Sequence, residues 1–220
     1  MTNPLTEFNA AAQDALFEKI AADLRSDGYS INQQALPLAL AQALHQQVTG
    51  LSSDAFNRAG VGREQQQILS EEVRRDSIRW IDADSQAGEA WLCWAQQLQQ
   101  YLNRRLYLGL FSFESHFAHY RPGDYYQRHL DAFRGRSNRV LSMVTYLNPD
   151  WDSANGGELV LYRDSDDTQG VKVVPQLGSV AIFLSEEFPH EVLPSSVDRY
   201  SIAGWFRVNT SVSSRVDPAQ

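Results

Sequence analysis

The chain has 220 residues, and 19 basic against 27 acidic side chains give it a formal charge of −8 at pH 7. This length favours one domain, and a hydrophobic content of 43% supports a real core, which excludes global disorder. The acidic balance argues against a general nucleic-acid binder, because phosphate neutralisation needs a basic face. The single cysteine excludes internal disulfides and cysteine-based zinc sites.

No apolar run approaches the roughly 18 residues that a membrane-spanning helix needs. The N-terminus also lacks the basic start and apolar stretch of a secretory signal. We therefore expect a cytoplasmic protein with neither a membrane nor a nucleic-acid partner.

Helical patterns dominate the first 107 residues. Apolar side chains recur at helical spacing in the segments 11–24, 36–48 and 88–106. The stripe on the third segment, which includes Trp91 and Trp94, is typical of core packing. A long polar connection, 51–80, joins the second and third helices. Such a connection is typical of a functional or mobile loop, and a plain solvated loop is the alternative.

From residue 108 the pattern changes to short β-like segments separated by turn signals such as Asn155-Gly156-Gly157. Many short strands at this spacing favour a sandwich or barrel with the helices packed outside. We predict a single domain over 1–220, with a helical part at 1–107 and a β core at 108–210. The candidate strands are 111–120, 140–147, 158–162, 171–174, 179–184, 191–193 and 200–208.

Three residues of the β region have the chemistry of a metal site. His129 and Asp131 lie at i and i+2, so in an extended segment their side chains point to the same side. His190 follows far enough along the chain for another strand to face this pair. Two imidazoles and one carboxylate form the facial triad that suits Fe(II) oxygen chemistry. Zinc accepts the same ligands, so these residue types leave the metal open.

Arg199 follows His190 by one hairpin, which would carry it back beside the metal face. A buried arginine there needs an anion, and its planar fork fits a carboxylate. A metal and a fixed guanidinium together describe a pocket for a small dicarboxylate. The alternative is that Arg199 pairs with a surface acid such as Asp198.

These residues stand in segments that resemble the 2-oxoglutarate- and Fe(II)-dependent prolyl hydroxylases, above all the hypoxia-inducible-factor prolyl hydroxylases and their bacterial relatives. The resemblance covers about residues 70–208. It is carried by Arg74-Arg75-Asp76-Ser77-Ile78-Arg79-Trp80-Ile81, Tyr120, Pro122-Gly123, Tyr126, Arg128-His129, Asp131, Tyr146-Leu147-Asn148, Asp150-Trp151-Asp152, Gly156-Gly157, Pro189-His190-Glu191-Val192, Arg199-Tyr200 and Trp205.

The resemblance implies an α+β, mainly β fold: a double-stranded β-helix, or cupin-like jelly roll, with N-terminal helices packed against it. It implies Fe(II) as the metal and 2-oxoglutarate and O2 as cosubstrates, with ascorbate as a further possible cofactor. The β core would be catalytic, and the connection 51–80 would face the substrate.

The resemblance also implies roles for single residues. His129, Asp131 and His190 would hold iron. Arg199 would bind the far carboxylate of 2-oxoglutarate, with the Tyr146 hydroxyl as a second donor. Period-2 geometry adds Ser201 to the face of Arg199. The remaining implied roles are the cosubstrate or prolyl pocket for Tyr120, an apolar wall for Trp205, the substrate rim for Arg139, and peptide contacts for Arg74 and Asp76.

The implied reaction is hydroxylation of a prolyl residue, at the 4-position, in an exposed loop of another protein. It would be coupled to oxidative decarboxylation of 2-oxoglutarate to succinate and CO2. A translation factor such as elongation factor Tu is a candidate substrate. The alternatives are an oxygenase acting on a small metabolite or other non-prolyl substrate, a non-catalytic cupin-like metal-binding module, and a zinc hydrolase.

Overall fold

A computed structural model of the protein describes residues 3–58, 73–132 and 137–209. Its three α-helices have the apolar stripes expected from the sequence. Two of them begin at side-chain caps: Asn9 accepts from the Ala12 N–H and Ser85 from the Gly88 N–H. The helices are α1 (Ala10–Ser26), α2 (Leu38–Thr49) and α3 (Gln86–Leu106).

Two antiparallel sheets follow in the described ranges. Their strands are β1 (Tyr29–Asn32), β2 (Asn57–Arg58), β3 (Ser77–Trp80), β4 (Leu110–Tyr120), β5 (Tyr126–His129), β6 (Arg139–Tyr146), β7 (Leu159–Leu161), β8 (Val171–Val173), β9 (Val180–Leu184), β10 (His190–Val192) and β11 (Arg199–Val208). The large sheet has the order β1-β9-β6-β11-β4-β3-β2, and the small sheet has the order β5-β10-β7-β8. This architecture confirms the predicted double-stranded β-helix with packed helices.

All seven predicted strands are present, with ends that differ by no more than one residue. The sequence patterns missed β1, β2, β3 and β5. These strands have only two to four residues and mixed polarity, so period-2 alternation has little room to appear. The missed β5 is the strand that ends at His129.

The large sheet separates a helix-facing side from an inner side. In β11, Ile202 and Phe206 belong to the apolar core shared with the helices, together with Trp94 of α3. The alternate residues of β11 face the small sheet, so that Arg199 hydrogen-bonds the carbonyl of Gly157 in the opposite layer. The predicted Trp91 and Trp94 stripe is fully buried in the helix-facing core.

The segment 73–80 joins the two sheets along one edge. The Gln127 N–H donates to the Val73 carbonyl beside β5, and the Arg75 N–H donates to the Tyr125 carbonyl. A few residues later, β3 pairs with β4 of the large sheet. Residues 59–72 of the predicted substrate loop lie outside the described residues. None of the helices in the described ranges has both the length and the apolar character of a membrane span.

Candidate functional site

The structure brings His129, Asp131 and His190 together between the sheets. His190 of β10 is the direct cross-strand neighbour of His129 in β5. The Nε2 atom of His129 lies 3.5 Å from Asp131 Oδ1, and that of His190 lies 3.6 Å from Asp131 Oδ2. Because one ligand atom from each residue lies within 4.8 Å of the other two, a single ion can contact all three.

Backbone carbonyls orient both imidazoles. The Nδ1 atom of His129 lies 2.7 Å from the Gln127 carbonyl oxygen, and that of His190 lies 3.0 Å from the Phe188 carbonyl oxygen. A carbonyl oxygen only accepts, so each Nδ1 carries the proton and each Nε2 carries a lone pair directed at the shared space. This second contact is typical of histidines that bind metals.

The ionisation of these groups also suits a cation. Burial lowers the pKa of His190 to about 4, and the opposing effect of Asp131 is smaller, so the imidazole is neutral near pH 7. Burial opposes ionisation of Asp131. The neighbouring His190, His129 and Ser142 nevertheless hold the pKa of this carboxyl well below its usual range. The site therefore offers the negative charge of Asp131 and the neutral imidazole of His190 to a cation.

Tyr126 links the cluster of His129, Asp131 and His190 to the segment 73–80. Its ring stacks on His129 with centroids 3.6 Å apart, and the Arg74 guanidinium lies 4.5 Å from the centre of the Tyr126 ring. Arg74 is held in turn by both carboxylate oxygens of Asp76, at 2.7 and 2.6 Å. Asp76 is only 1% exposed, so in this structure it anchors Arg74 and does not itself reach the surface.

Arg199 is a buried cation, 1% exposed. Its Nε donates to the Gly157 carbonyl at 2.8 Å and its Nη1 donates to the Ser201 hydroxyl at 3.1 Å. Gly157 has a φ of +72°, and a Cβ there would lie 3.3 Å from the Arg199 side chain, so both backbone conformation and space favour glycine. The predicted Asn155-Gly156-Gly157 turn thus lets the chain pass close to the guanidinium.

Two buried donors, one on the Arg199 guanidinium and one on Tyr146, lack partners in the part of the chain that the structure describes. Among the described residues, neither Arg199 Nη2 nor the Tyr146 hydroxyl has a hydrogen-bond partner, although both atoms are buried. Burial raises the pKa of Tyr146, so its hydroxyl keeps its proton. Buried donors without acceptors cost free energy, and a carboxylate would satisfy them. The residues present therefore fit the far carboxylate of 2-oxoglutarate, with the histidines and Asp131 fitting its iron.

Aromatic rings lie beside Arg199 and His190. Tyr120 lies beneath Arg199, which is 4.8 Å from the centre of its ring. Phe183 packs edge-on against His190 at 4.8 Å between centroids. Trp205 is 8% exposed, and its indole N–H has no partner among the described residues. Tyr120 and Phe183 thus give Arg199 and His190 aromatic neighbours, whereas the ring of Trp205 contacts His116 and Arg139.

The predicted rim residue Arg139 lies on Trp205, 3.7 Å from the centre of a ring. Its Nη2 donates to Glu114 Oε1 at 3.1 Å, and Arg207 pairs with the other oxygen of Glu114 at 3.3 Å. The β6–β11 register shifts between Phe206 and Arg207, which indicates a bulge. Ser142 and Arg139 are three residues apart, so a regular strand would place them on opposite faces of the sheet. The bulge turns Arg139 to the inner side, the same side as Ser142.

Several polar residues of the site were missed by sequence reasoning. The Ser142 hydroxyl contacts Asp131, Ser185 contacts Ser142, and Glu114 anchors Arg139. Ser142 and Glu114 occupy inward positions of predicted strands, so their period-2 placement was the available signal. Ser185 carried no such signal, because it follows the end of β9.

Two imidazoles and a carboxylate that one ion can contact, in a double-stranded β-helix that also buries an arginine, are typical of an iron-dependent oxygenase that uses a 2-oxo acid. The model of the 2OG-Fe(II) oxygenase superfamily matches residues 115–207. A prolyl-4-hydroxylase of Pseudomonas putida is 38% identical, with 88% of this chain and 98% of that chain covered and a TM-score of 0.77. The chain belongs to the 2OG-Fe(II) oxygenase superfamily and is prolyl-hydroxylase-like.

Two further relatives agree with this assignment. A prolyl hydroxylase of Trichoplax adhaerens, solved in complex with a peptide fragment of the hypoxia-inducible-factor oxygen degradation domain, is 26% identical. That match covers 92% of this chain and 94% of that chain with a TM-score of 0.80. Egl nine homolog 1 of Rattus norvegicus is 32% identical over 85 residues, or 38% of this chain. The chain spans 25% of the length of that curated relative. The family uses Fe(II), 2-oxoglutarate and O2.

Proposed function

We propose that this protein hydroxylates a prolyl residue, at the 4-position, in an exposed loop of another protein. The observation that carries the oxygenase reaction is the triad of His129, Asp131 and His190, together with buried donors of Arg199 and Tyr146 that have no partner within the described ranges. The prolyl and 4-position assignments are supported by the 38% identity to a bacterial prolyl-4-hydroxylase. A protein substrate is supported by the peptide bound to the Trichoplax adhaerens relative.

The three triad residues would hold Fe(II) on one face and leave three positions for other ligands. Arg199, Tyr146 and Ser201 would receive the far carboxylate of 2-oxoglutarate. Ser201 already accepts from Arg199 Nη1, so its own proton is free to point at that carboxylate. When bound, the iron and 2-oxoglutarate supply O2 chemistry, in which one oxygen atom enters the substrate C–H bond and the other enters succinate as CO2 leaves.

The aromatic wall would orient the reactants and exclude water. Burial raises the pKa of Tyr120 and of Tyr146, so both rings stay neutral beside the cationic Arg199. A neutral, apolar lining strengthens the contact between the guanidinium and a bound carboxylate, because water no longer screens it. Trp205 would add its buried indole to the same wall.

Arg139 and Arg74 would meet the protein substrate at the rim. The Arg139 side chain is 26% exposed, and Glu114 and Trp205 fix its direction. The Arg74 side chain is 11% exposed and is held by Asp76. Two oriented guanidiniums beside the centre suit the backbone carbonyls of a loop that presents proline. Elongation factor Tu is the first candidate to test.

The decisive experiment combines succinate detection with mass spectrometry. Purified protein with Fe(II), 2-oxoglutarate and ascorbate is incubated with elongation factor Tu, with proline-containing peptides and with a panel of small metabolites. We expect succinate formation that depends on a prolyl substrate and a one-oxygen mass gain on proline. Comparison with authentic 4-hydroxyproline after hydrolysis would identify the position.

The matched control is the His129→Ala variant, which lacks a metal ligand and should give neither product. Turnover with a metabolite and none with prolyl substrates would overturn the prolyl assignment while leaving the oxygenase assignment intact. Absence of succinate with every substrate, together with no binding of 2-oxoglutarate to the metal-loaded protein, would contradict the oxygenase itself.

A further inference from the structure

The carboxylate of Asp131 is not placed by strand pairing. The β5 strand ends at His129, whose partner in β10 is His190, and Asp131 lies in the bend beyond that end. The side chain of a ligand in such a bend needs another contact to hold it at the ion. That contact comes from the opposite sheet.

The Ser142 hydroxyl lies 2.6 Å from Asp131 Oδ2. Ser142 stands in the middle of β6, paired with Phe183 on one side and Trp205 on the other, and is 1% exposed. Behind it the Ser185 hydroxyl, which is fully buried, lies 2.9 Å from the Ser142 hydroxyl. The two serines thus form a buried chain that leads from the large sheet to the metal ligand.

The chemistry of the groups sets the direction of this chain. The contact with Asp131 Oδ2 has the geometry of a bond in which that oxygen accepts, so Ser142 donates its single proton to it. Ser142 can then only accept from Ser185, which must be the donor of the second bond. Each bond in such a chain polarises and strengthens the next, and the whole chain is shielded from water.

We propose that Ser142, supported by Ser185, is a positioning residue that holds the Asp131 carboxylate in its metal-binding orientation. This inference rests on the proposed iron site and does not depend on the identity of the substrate. Outer contacts of this kind contribute roughly 10- to 100-fold to metal affinity in other proteins. The serine pair would let one rigid sheet set the geometry of a ligand that sits on an irregular segment.

The test measures Mn²⁺ binding to the metal-free protein by calorimetry, because Mn²⁺ takes the same ligands as Fe²⁺ and resists oxidation. Ser142→Ala should raise the Kd for Mn²⁺ by roughly 10- to 100-fold. Ser142→Thr keeps the hydroxyl and should bind nearly as the wild type does. Ser185→Ala removes only the distal bond and should give a smaller loss than Ser142→Ala.

The matched control is Ser179→Ala. Ser179 is also a buried serine of the large sheet region, at 2% exposure, and its hydroxyl has no partner among the described residues. This variant should bind Mn²⁺ as the wild type does. Thermal unfolding of each metal-free variant would separate a loss of affinity from a loss of folding.

The proposal is overturned if Ser142→Ala binds Mn²⁺ as tightly as the wild type does, or if Ser142→Thr is as weak as Ser142→Ala. The metal site itself is overturned if the wild type and His129→Ala bind Mn²⁺ with the same affinity. In that case the proposed function fails together with the role of Ser142, whereas a weakened His129→Ala beside an unaffected Ser142→Ala refutes only the positioning role.

Discussion

The two faces of the large sheet are made from the same strands, but one face forms the apolar core and the other lines the candidate site. On the helix side, Phe206 and Ile202 of β11 lie in a continuous apolar core and are fully buried. On the inner side of the same strand, Arg199 and Ser201 are almost as buried, yet they are polar, and Arg199 donates to the Ser201 hydroxyl and to the Gly157 carbonyl. Burial alone therefore does not distinguish stability from function in this protein. The chemistry of the buried groups makes that distinction, since the inner face presents the Arg199 cation whereas the outer face presents the apolar side chains of Ile202 and Phe206.

This comparison predicts that substitutions on the inner face remove activity and those on the outer face remove stability. The largest effect is expected at Asp131. Replacing Asp131 by Ala removes the only charged ligand of the described triad, so metal-dependent succinate formation should fall to background. The metal-free variant should still unfold cooperatively near the wild-type temperature. A variant that retained turnover would show that this aspartate is not a ligand.

The outer face is tested by Phe206→Ala. Phe206 is fully buried, and removing its ring leaves a cavity in the core, so the free energy of unfolding should fall by about 3–5 kcal/mol. Ser201→Ala, on the inner face of the same strand, leaves the Arg199 Nη1 donor without its acceptor and should cost less, about 1–3 kcal/mol. Urea unfolding of both variants measures the difference. Equal losses would contradict the division of the strand into two faces.

Replacement of Arg199 should weaken the binding of 2-oxoglutarate. Arg199→Ala deletes a hydrogen bond to a charged group, which is worth about 1.5–3 kcal/mol. The Kd for 2-oxoglutarate should therefore rise roughly 10- to 150-fold. Calorimetry with the Mn²⁺-loaded protein measures it, and succinate, which shares the far carboxylate, serves as a second ligand. Undiminished affinity would refute the role of Arg199.

The smallest effect concerns pH. Burial lowers the pKa of His116, which lies between Trp80 and Trp205, from 6.5 to about 4. Between these values the unfolded chain binds a proton that the folded chain does not, so stability falls as pH drops. At pH 5 the loss is about 2 kcal/mol. His116→Gln should remove it.

Urea unfolding of the metal-free wild type and of His116→Gln, each at pH 7.5 and pH 5, checks this prediction. His190 titrates in both proteins and so cancels in the comparison. On acidification, the free energy of unfolding of the wild type should fall by about 2 kcal/mol more than that of the variant. Identical losses would mean that His116 is not a buried neutral imidazole.

Much of the fold and part of the site could be predicted from local pattern. Strong helical stripes such as the one carrying Trp94, and strands of five or more alternating residues, are encoded within a short window of sequence. The metal triad and Arg199 were accessible because their spacing and residue types suit a metal beside a bound carboxylate, while the choice of iron came from the family resemblance. The four short strands were missed because their pairing partners supply most of their stability.

The sequence by itself determined which residues carry charge, which can bind a metal and which can donate hydrogen bonds to a carboxylate. It also determined in which strands most of these residues lie. Only the tertiary structure decided how these groups meet. A bulge in β6 turns Arg139 onto Trp205, and a serine from that strand reaches Asp131 across the two sheets. Such contacts depend on register and on packing between distant segments, and no local period of the sequence encodes either.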